Sequence, residues 1–249
     1  MPRQFFCDRF KDNIAYFDLD EKRHLKVLKI RPGDTILFTD GKGFLYEGEI
    51  LPPGQEATVK ILSKKEELSR EPAKEIEIII ALSKWKRLSL LVEKSVELGV
   101  RTITFVSTEH SNYSKLNMEK VEKTVKKALK QCGGTILPQL AYYKTIMKLE
   151  QTGSLKGLPI LLNSECDKAI STCDFPESVS LIIGPEGGFT QNEIKKMRTF
   201  WPELEEISLG RRILRLETAA ISALSCILYR DGFETRLYGN VNGKNDGYG

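Results

Sequence analysis

The sequence predicts two units in tandem: a small β-rich module, then an α/β module built on a mainly parallel sheet. Three observations carry this. Short strand candidates crowd the first seventy residues between strong turn signals. From Ile76 onward, strands alternate with amphipathic helices. Near the end, Val179–Thr190 places an apolar strand run, a turn of Gly184-Pro185-Glu186-Gly187-Gly188 and a helix start in immediate succession. That arrangement holds small ligands by backbone contacts, although an ordinary strand-to-helix loop reads the same way.

In the first module the strand candidates are Arg3–Cys7, Thr35–Thr39, Phe44–Ile50 and Ala57–Ser63, punctuated by Asp40-Gly41-Lys42-Gly43 and Pro52-Pro53-Gly54. A short helix is expected over Asp20–Leu28, capped by Asp20, with Leu25 and Leu28 turned inward. Close-spaced short strands suggest a small barrel. The charged, apolar-poor stretch Ser63–Glu75 marks the domain boundary.

In the second module Ile76–Leu82, Arg101–Ser107, Pro159–Asn163, Val179–Ile183 and Leu204–Leu209 read as strands. Trp85–Leu98 has Leu88, Leu91, Val92 and Val96 at helical spacing, and Gly99 follows as a C′ residue. Asn117–Gln131 carries an apolar stripe of Met118, Val121, Val125 and Ala128. Shorter helices are expected over Lys144–Glu150 and Thr190–Phe200, the latter with Thr190 and Glu193 spaced as a capping box. Leu216–Tyr229 has the clearest periodicity: Leu216, Ala219, Ala220, Ala223, Leu224, Ile227 and Leu228. So much apolar surface, small at its centre, suggests packing on two sides, one of them a partner subunit. The tail Gly239–Gly249 reads as disordered or foreign to the fold.

Composition excludes several classes. The 249 residues carry a formal net charge of +4, a mild basic balance that permits a polyanionic partner without demanding one. Five scattered cysteines without CxxC spacing point to reduced thiols, and two histidines cannot supply a His-rich metal site. No metal is expected. No signal-peptide run or membrane-length stretch is visible, so a cytoplasmic protein without membrane contact is expected.

Three basic clusters stand out: Arg3, Arg23, Lys26, Lys29 and Arg31; Lys84, Lys86, Arg87 and Lys94; and Lys120, Lys123, Lys127 and Lys130. Each alone reads as a solvated helix face; together they tilt toward a phosphate backbone. The nucleotide motifs fail. The Gly184–Gly188 turn is not a dinucleotide fingerprint, no Lys-Ser/Thr pair follows it, and Glu186 would repel a polyphosphate. That carboxylate suits a ligand with positive charge or hydroxyls. No nucleophile triad can be assembled from two histidines. A second ligand-like loop, Leu209-Gly-Arg-Arg-Ile-Leu-Arg-Leu-Glu-Thr-Ala, runs from a strand end into the apolar helix, and a third, Leu162-Asn163-Ser164-Glu165, ends another strand. Glu217 suits the first turn of a helix electrostatically, so a capping role is open to it.

Ile183-Gly-Pro-Glu-Gly-Gly-Phe together with Leu209-Gly-Arg-Arg-Ile-Leu-Arg-Leu-Glu-Thr-Ala resembles the signature of the RsmE family, SPOUT-superfamily methyltransferases that modify N3 of a uridine in 16S ribosomal RNA. Arg3 with Phe5-Phe6, His24 through Asp34, Asp40-Gly-Lys-Gly, and Lys84 through Val100 resemble further segments of the family. The resemblance covers the chain to about residue 235 and leaves only the tail. It implies a PUA-like RNA-binding barrel over 1–70, a SPOUT domain over 71–235 with a deep trefoil knot, and a disordered tail over 236–249. Composition and spacing suggest no knot, since threaded chains are rare.

The resemblance also implies S-adenosyl-L-methionine as methyl donor, held by Leu162, Asn163, Ile183, Gly184, Pro185, Glu186, Gly187, Gly188, Leu209, Gly210, Ile213, Leu214, Arg215, Leu216 and Thr218. It implies a homodimer acting on ribosomal RNA or the small ribosomal subunit, with Arg3, Arg23, His24, Lys84, Arg87 and Lys94 toward RNA. His24 reads equally as a packed residue. Uridine N3 becomes nucleophilic once its proton leaves, so Arg215 is expected to stabilise charge developing on the uracil, and Glu217 to orient that arginine or relay the proton. Two positions depart from the family pattern: Gly134 stands where an arginine is usual, and His110-Ser111 where an Arg-Ser pair is usual; both are expected on the RNA-facing side. An alternative reading is a non-catalytic RNA-binding protein with a degenerate SPOUT domain; a phosphate-handling α/β enzyme is a third.

Overall fold

In the computed structural model, residues 4–54, 56–111, 113, 115–151 and 155–229 are described. Arg3 and the tail beyond Tyr229 therefore lie outside the described residues. Two six-stranded sheets organise the rest.

The first sheet comprises β1 (Gln4–Phe6), β2 (Phe10–Lys11), β3 (Ile14–Phe17), β4 (Thr35–Thr39), β5 (Phe44–Ile50) and β6 (Ala57–Glu66), in the order β1-β4-β5-β6-β3-β2. β1 runs parallel to β4; the other pairs are antiparallel. The sheet curls around buried Phe5, Phe17, Phe38 and Val59. Phe38 stacks on Tyr46 with centroids 5.1 Å apart and meets Phe17 edge-on at 5.4 Å. The curl needs Gly48. The β5–β6 register shifts at Glu47/Gly48, and a Cβ at Gly48 would stand 2.5 Å from Val59 Cγ1 and 2.9 Å from the Lys60 carbonyl.

Three details differ from the sequence reading. Helix α1 (Leu19–Val27) is capped by Asp18, whose carboxylate accepts from the Glu21 amide at 2.8 Å, and not by Asp20. The β2–β3 hairpin was not anticipated, because two-residue β2 is exposed and shows no alternation. β6 continues to Glu66, so the charged run after Ser63 begins as strand, with Phe44 to Tyr46 opposite it.

The second sheet holds β7 (Glu75–Ala81), β8 (Thr102–Val106), β9 (Gln139–Tyr143), β10 (Leu158–Leu162), β11 (Ser178–Ile183) and β12 (Glu205–Ile207) in the order β12-β10-β11-β7-β8-β9. Every pairing is parallel, as continuous apolar runs require when both faces are covered. Strand alternation sends Ile78, Ile80, Ile103 and Phe105 toward α2 (Trp85–Glu97), α3 (Met118–Cys132) and α6 (Leu216–Tyr229). Ile79, Val106, Leu161 and Ile182 face α4 (Ile146–Gln151) and α5 (Gln191–Phe200). The result is a parallel sheet between two helical layers. β9 escaped the sequence reading because it is an edge strand with no fully buried side chain and no alternation.

The two sheets are joined closely. β1 sends Phe5 into the first core and Phe6, its neighbour, into the second. Gln4 Nε2 donates to the Gly134 carbonyl at 2.7 Å, Lys126 on α3 pairs with Asp8 at 3.2 Å, and Lys130 pairs with buried Glu21. Glu71 accepts from the Thr135 and Ile136 amides at 2.8 and 3.2 Å. Gly134 thus belongs to this junction: a Cβ there would approach Leu129 Cδ1 to 2.9 Å.

Candidate active site

At the carbonyl ends of β10, β11 and β12, three loops surround one cavity of about 320 Å³. Adjacent strand ends of an open parallel sheet are where such folds bind ligands. The end of β10 and the loop after it contribute Leu162–Glu165, the loop after β11 Gly184–Phe189, and the loop after β12 Leu209, Gly210 and Arg212 to Leu214, with Leu216 and Ala219 on α6 also lining it. Thirteen of the residues expected to hold a methyl donor line it: Leu162, Asn163, Ile183, Gly184, Pro185, Glu186, Gly187, Gly188, Leu209, Gly210, Ile213, Leu214 and Leu216. Arg215 and Thr218 do not. Leu161, Phe189, Gln191, Ile194, Ile207 and Ala219 do, and were missed; Leu161 and Ile207 lie in the strands, and Gln191, Ile194 and Ala219 in the helices that follow the loops.

Each loop is fixed by the sequence around it. Gly188 (φ +69°) and Gly210 (φ +113°) occupy the left-handed region that disfavours a side chain. After β11 the chain enters α5 through a complete capping box: Thr190 Oγ1 accepts from the Glu193 amide at 3.1 Å, and Glu193 Oε2 accepts from the Thr190 amide at 2.9 Å. Glu193 Oε1 also accepts from the Glu109 amide at 3.1 Å, tying the segment after β8 to the same helix start. In the first loop Asn163 is occupied by its own scaffold. Its Nδ2 donates to Glu206 Oε2 at 2.8 Å, its Oδ1 accepts from the Glu165 amide at 3.0 Å, and the other Glu206 oxygen is held by Arg198.

Glu186 does not stand as a free anion at the cavity. Arg87, on the first turn of α2, forms an ion pair with it, and Ser83 Oγ donates to Glu186 Oε1 at 3.1 Å. Arg87, expected toward RNA, is therefore committed to the glycine-rich loop. On the other side of that loop His110 Nδ1 lies 3.0 Å from the Gly187 carbonyl and 3.1 Å from that of Gly188. Thus His110 borders the expected donor loop.

The remaining basic residues separate into engaged and open groups. Lys94 is held by Glu93 and Glu97 at 2.9 and 2.8 Å, which raises its pKa through the Glu97 bond first. Arg23 pairs with Asp20 at 3.3 Å on the surface, while His24 packs on Phe5 with ring centroids 5.0 Å apart. Lys84 is exposed at the N-cap of α2. Arg215 is exposed immediately before α6 and its carbonyl accepts the Ala219 amide at 2.8 Å. Glu217 Oε2 is buried without a hydrogen-bond partner, and no ion pair joins it to Arg215 among the described residues. An orphaned buried carboxylate oxygen is uncommon and marks a site of interest.

A family model described as RNA methyltransferase domain matches residues 69–228. The chain belongs to that family. The model of the RNA methyltransferase PUA domain matches residues 17–62, so the curled first sheet of this RNA methyltransferase is its PUA domain. The Ribosomal RNA small subunit methyltransferase E of Buchnera aphidicola is 26% identical over 237 residues, spanning 91% of this chain and 92% of its own. Its namesake in Mesomycoplasma hyopneumoniae is 28% identical over 235 residues, spanning 90% and 98%. A Legionella pneumophila methyltransferase structure solved with the cofactor SAM bound superposes with a TM-score of 0.82 at 28% identity, over 93% of this chain and 98% of the other. The glycine-rich and arginine-rich loops resembled the RsmE family, and these relatives are named Ribosomal RNA small subunit methyltransferase E.

Proposed function

We propose that this RNA methyltransferase transfers the methyl group of S-adenosyl-L-methionine to N3 of a uridine in 16S ribosomal RNA of the small subunit. The observation that carries the reading is the convergence of three loops on one cavity. Its lining combines the glycines of two loops with apolar Leu162, Ile183, Leu209 and Leu216 and with polar Asn163 and Gln191. Such a lining fits a nucleoside with an amino-acid arm, and Arg87 neutralises the one carboxylate of the glycine-rich loop. When bound there, S-adenosyl-L-methionine supplies an activated methyl on a sulfonium.

The chain's own residues supply position and charge. The loops hold the donor in one pose, and orientation provides much of the rate enhancement. Arg215, exposed at the start of α6, is proposed to stabilise negative charge developing on the uracil as its N3 proton leaves. Glu217 is proposed to assist, by orienting that arginine or relaying the proton. The donor-binding assignment extends to Arg215, immediately before α6, and to Thr218 in the first turn of that helix. Lys84, Arg23 and His24, together with Arg3, are proposed to face RNA; Lys94 and Arg87 belong to that set only where RNA phosphate displaces the carboxylates that now pair with them. The target base is expected to be taken out of its stack.

The domain division proposed is 1–70 for the barrel, 71–235 for the SPOUT domain and 236–249 for a tail. The segment carrying the second and third loops is proposed to form a deep trefoil knot. A homodimer is proposed, supported by exposed Ile213 and Tyr229 at the two ends of the α6 segment. The test is Arg215→Ala. Donor affinity by calorimetry should stay within about threefold, while methylation falls by about a hundredfold or more, as when a charge-stabilising group is removed. Unchanged turnover would remove Arg215 from the mechanism.

A further inference from the structure

We propose that His110 is a positioning residue: its Nδ1–H latches the Gly187 and Gly188 carbonyls and so sets the shape of the donor-binding loop. Nδ1 lies 3.0 and 3.1 Å from two carbonyl oxygens. Two carbonyl lone pairs facing a ring lone pair would repel it, so the geometry assigns the proton to Nδ1. The ring therefore donates to the loop through Nδ1, which in the neutral tautomer leaves Nε2 as an acceptor. An arginine at this position would offer only donors, so the histidine changes the chemistry of this rim as well as its size.

The latch is built from both directions. The ring stands close over Gly187: a Cβ added there would lie 3.5 Å from Nδ1, in van der Waals contact. Its backbone neighbours are fixed: the Glu109 amide donates to buried Glu193 at 3.1 Å, and Ser111 Oγ donates to the Leu82 carbonyl at 2.8 Å. His110 is thus presented by a segment anchored to α5 and to the end of β7. Across the loop, Arg87 and Ser83 grip Glu186. The glycine-rich loop is held between the residues that follow β7 and those that follow β8. Glycines at three of its five positions give it freedom that only such outside contacts remove.

Two variants test this. Asparagine places an amide N–H where Nδ1 stands, so His110→Asn should keep the latch and His110→Ala should lose it. In the ligand-free protein, hydrogen exchange of the Gly187–Phe189 amides should quicken about threefold to tenfold in His110→Ala, the range expected for one net hydrogen bond, and return toward wild type in His110→Asn. In the methyltransferase assay, which rests on the function proposed above, KM for S-adenosyl-L-methionine should rise by a similar factor in His110→Ala with kcat little changed. Unaltered exchange in His110→Ala, or equal acceleration in both variants, would overturn the latch. Failure of the wild-type protein to bind the donor would instead overturn the proposed function and leave the exchange test standing.

Discussion

Arg87→Ala should weaken S-adenosyl-L-methionine binding by about fivefold. The ion pair it removes is half in solvent: the Arg87 side chain is 28% exposed and that of Glu186 48%. Pairs so placed contribute up to about 1 kcal/mol, which corresponds to a factor of about five in affinity if the loop must be held to bind. Glu186 keeps its bond from Ser83 Oγ at 3.1 Å, so the loop should loosen without collapsing. A double-mutant cycle isolates the effect. Arg87→Ala, Glu186→Gln and the double variant are titrated with donor by calorimetry at two salt concentrations. The two losses should be non-additive by about 1 kcal/mol at low salt, and the coupling should shrink at high salt. Strict additivity would refute the idea that Arg87 acts on the cavity through Glu186, and would return it to the RNA-facing set.

The start of α5 and the domain junction give two further expectations. Thr190→Ala removes half of the capping box and should lower stability by about 1 kcal/mol in denaturant titration; no change would mean that the Glu193 side of the box suffices. Glu67 is held at a pKa of about 2, against 4.5 for an ordinary glutamate, chiefly by its bond from Lys65 and then by Ser69. A depressed carboxyl pKa contributes stability that is present above pH 4.5 and lost as the pH falls through 2. Glu67→Gln should therefore flatten that part of the stability–pH curve, and an unchanged acid limb would contradict the pairing.

Much of the cavity was legible because its walls are loops bounded by strong local signals. Ile183 ends an apolar run, glycines break it, and Thr190 with Glu193 announces the next helix, so the loop's limits follow from residues near in sequence. The α6 periodicity is equally local. What joins these parts is not. Ser83 and Glu186 are 103 residues apart, and His110 lies 77 residues from Gly187. Nothing in the spacing of either residue announces its partner, so Arg87 and His110 read as RNA-facing, and their contacts with the glycine-rich loop were not visible. The same holds for α3, whose Lys130 reads as part of a solvated basic face yet is turned inward onto Glu21. Strands without alternation or full burial, β2 and β9, left no pattern to read.

The central claim is methylation at N3 of a uridine in small-subunit ribosomal RNA. The most direct test maps methylated nucleotides in 16S ribosomal RNA from cells with and without this protein, by nuclease digestion and mass spectrometry. The account predicts one uridine that carries an N3 methyl group only when the protein is present, restored by the wild-type chain and not by Arg215→Ala. Identical methylation profiles in the two strains would contradict it.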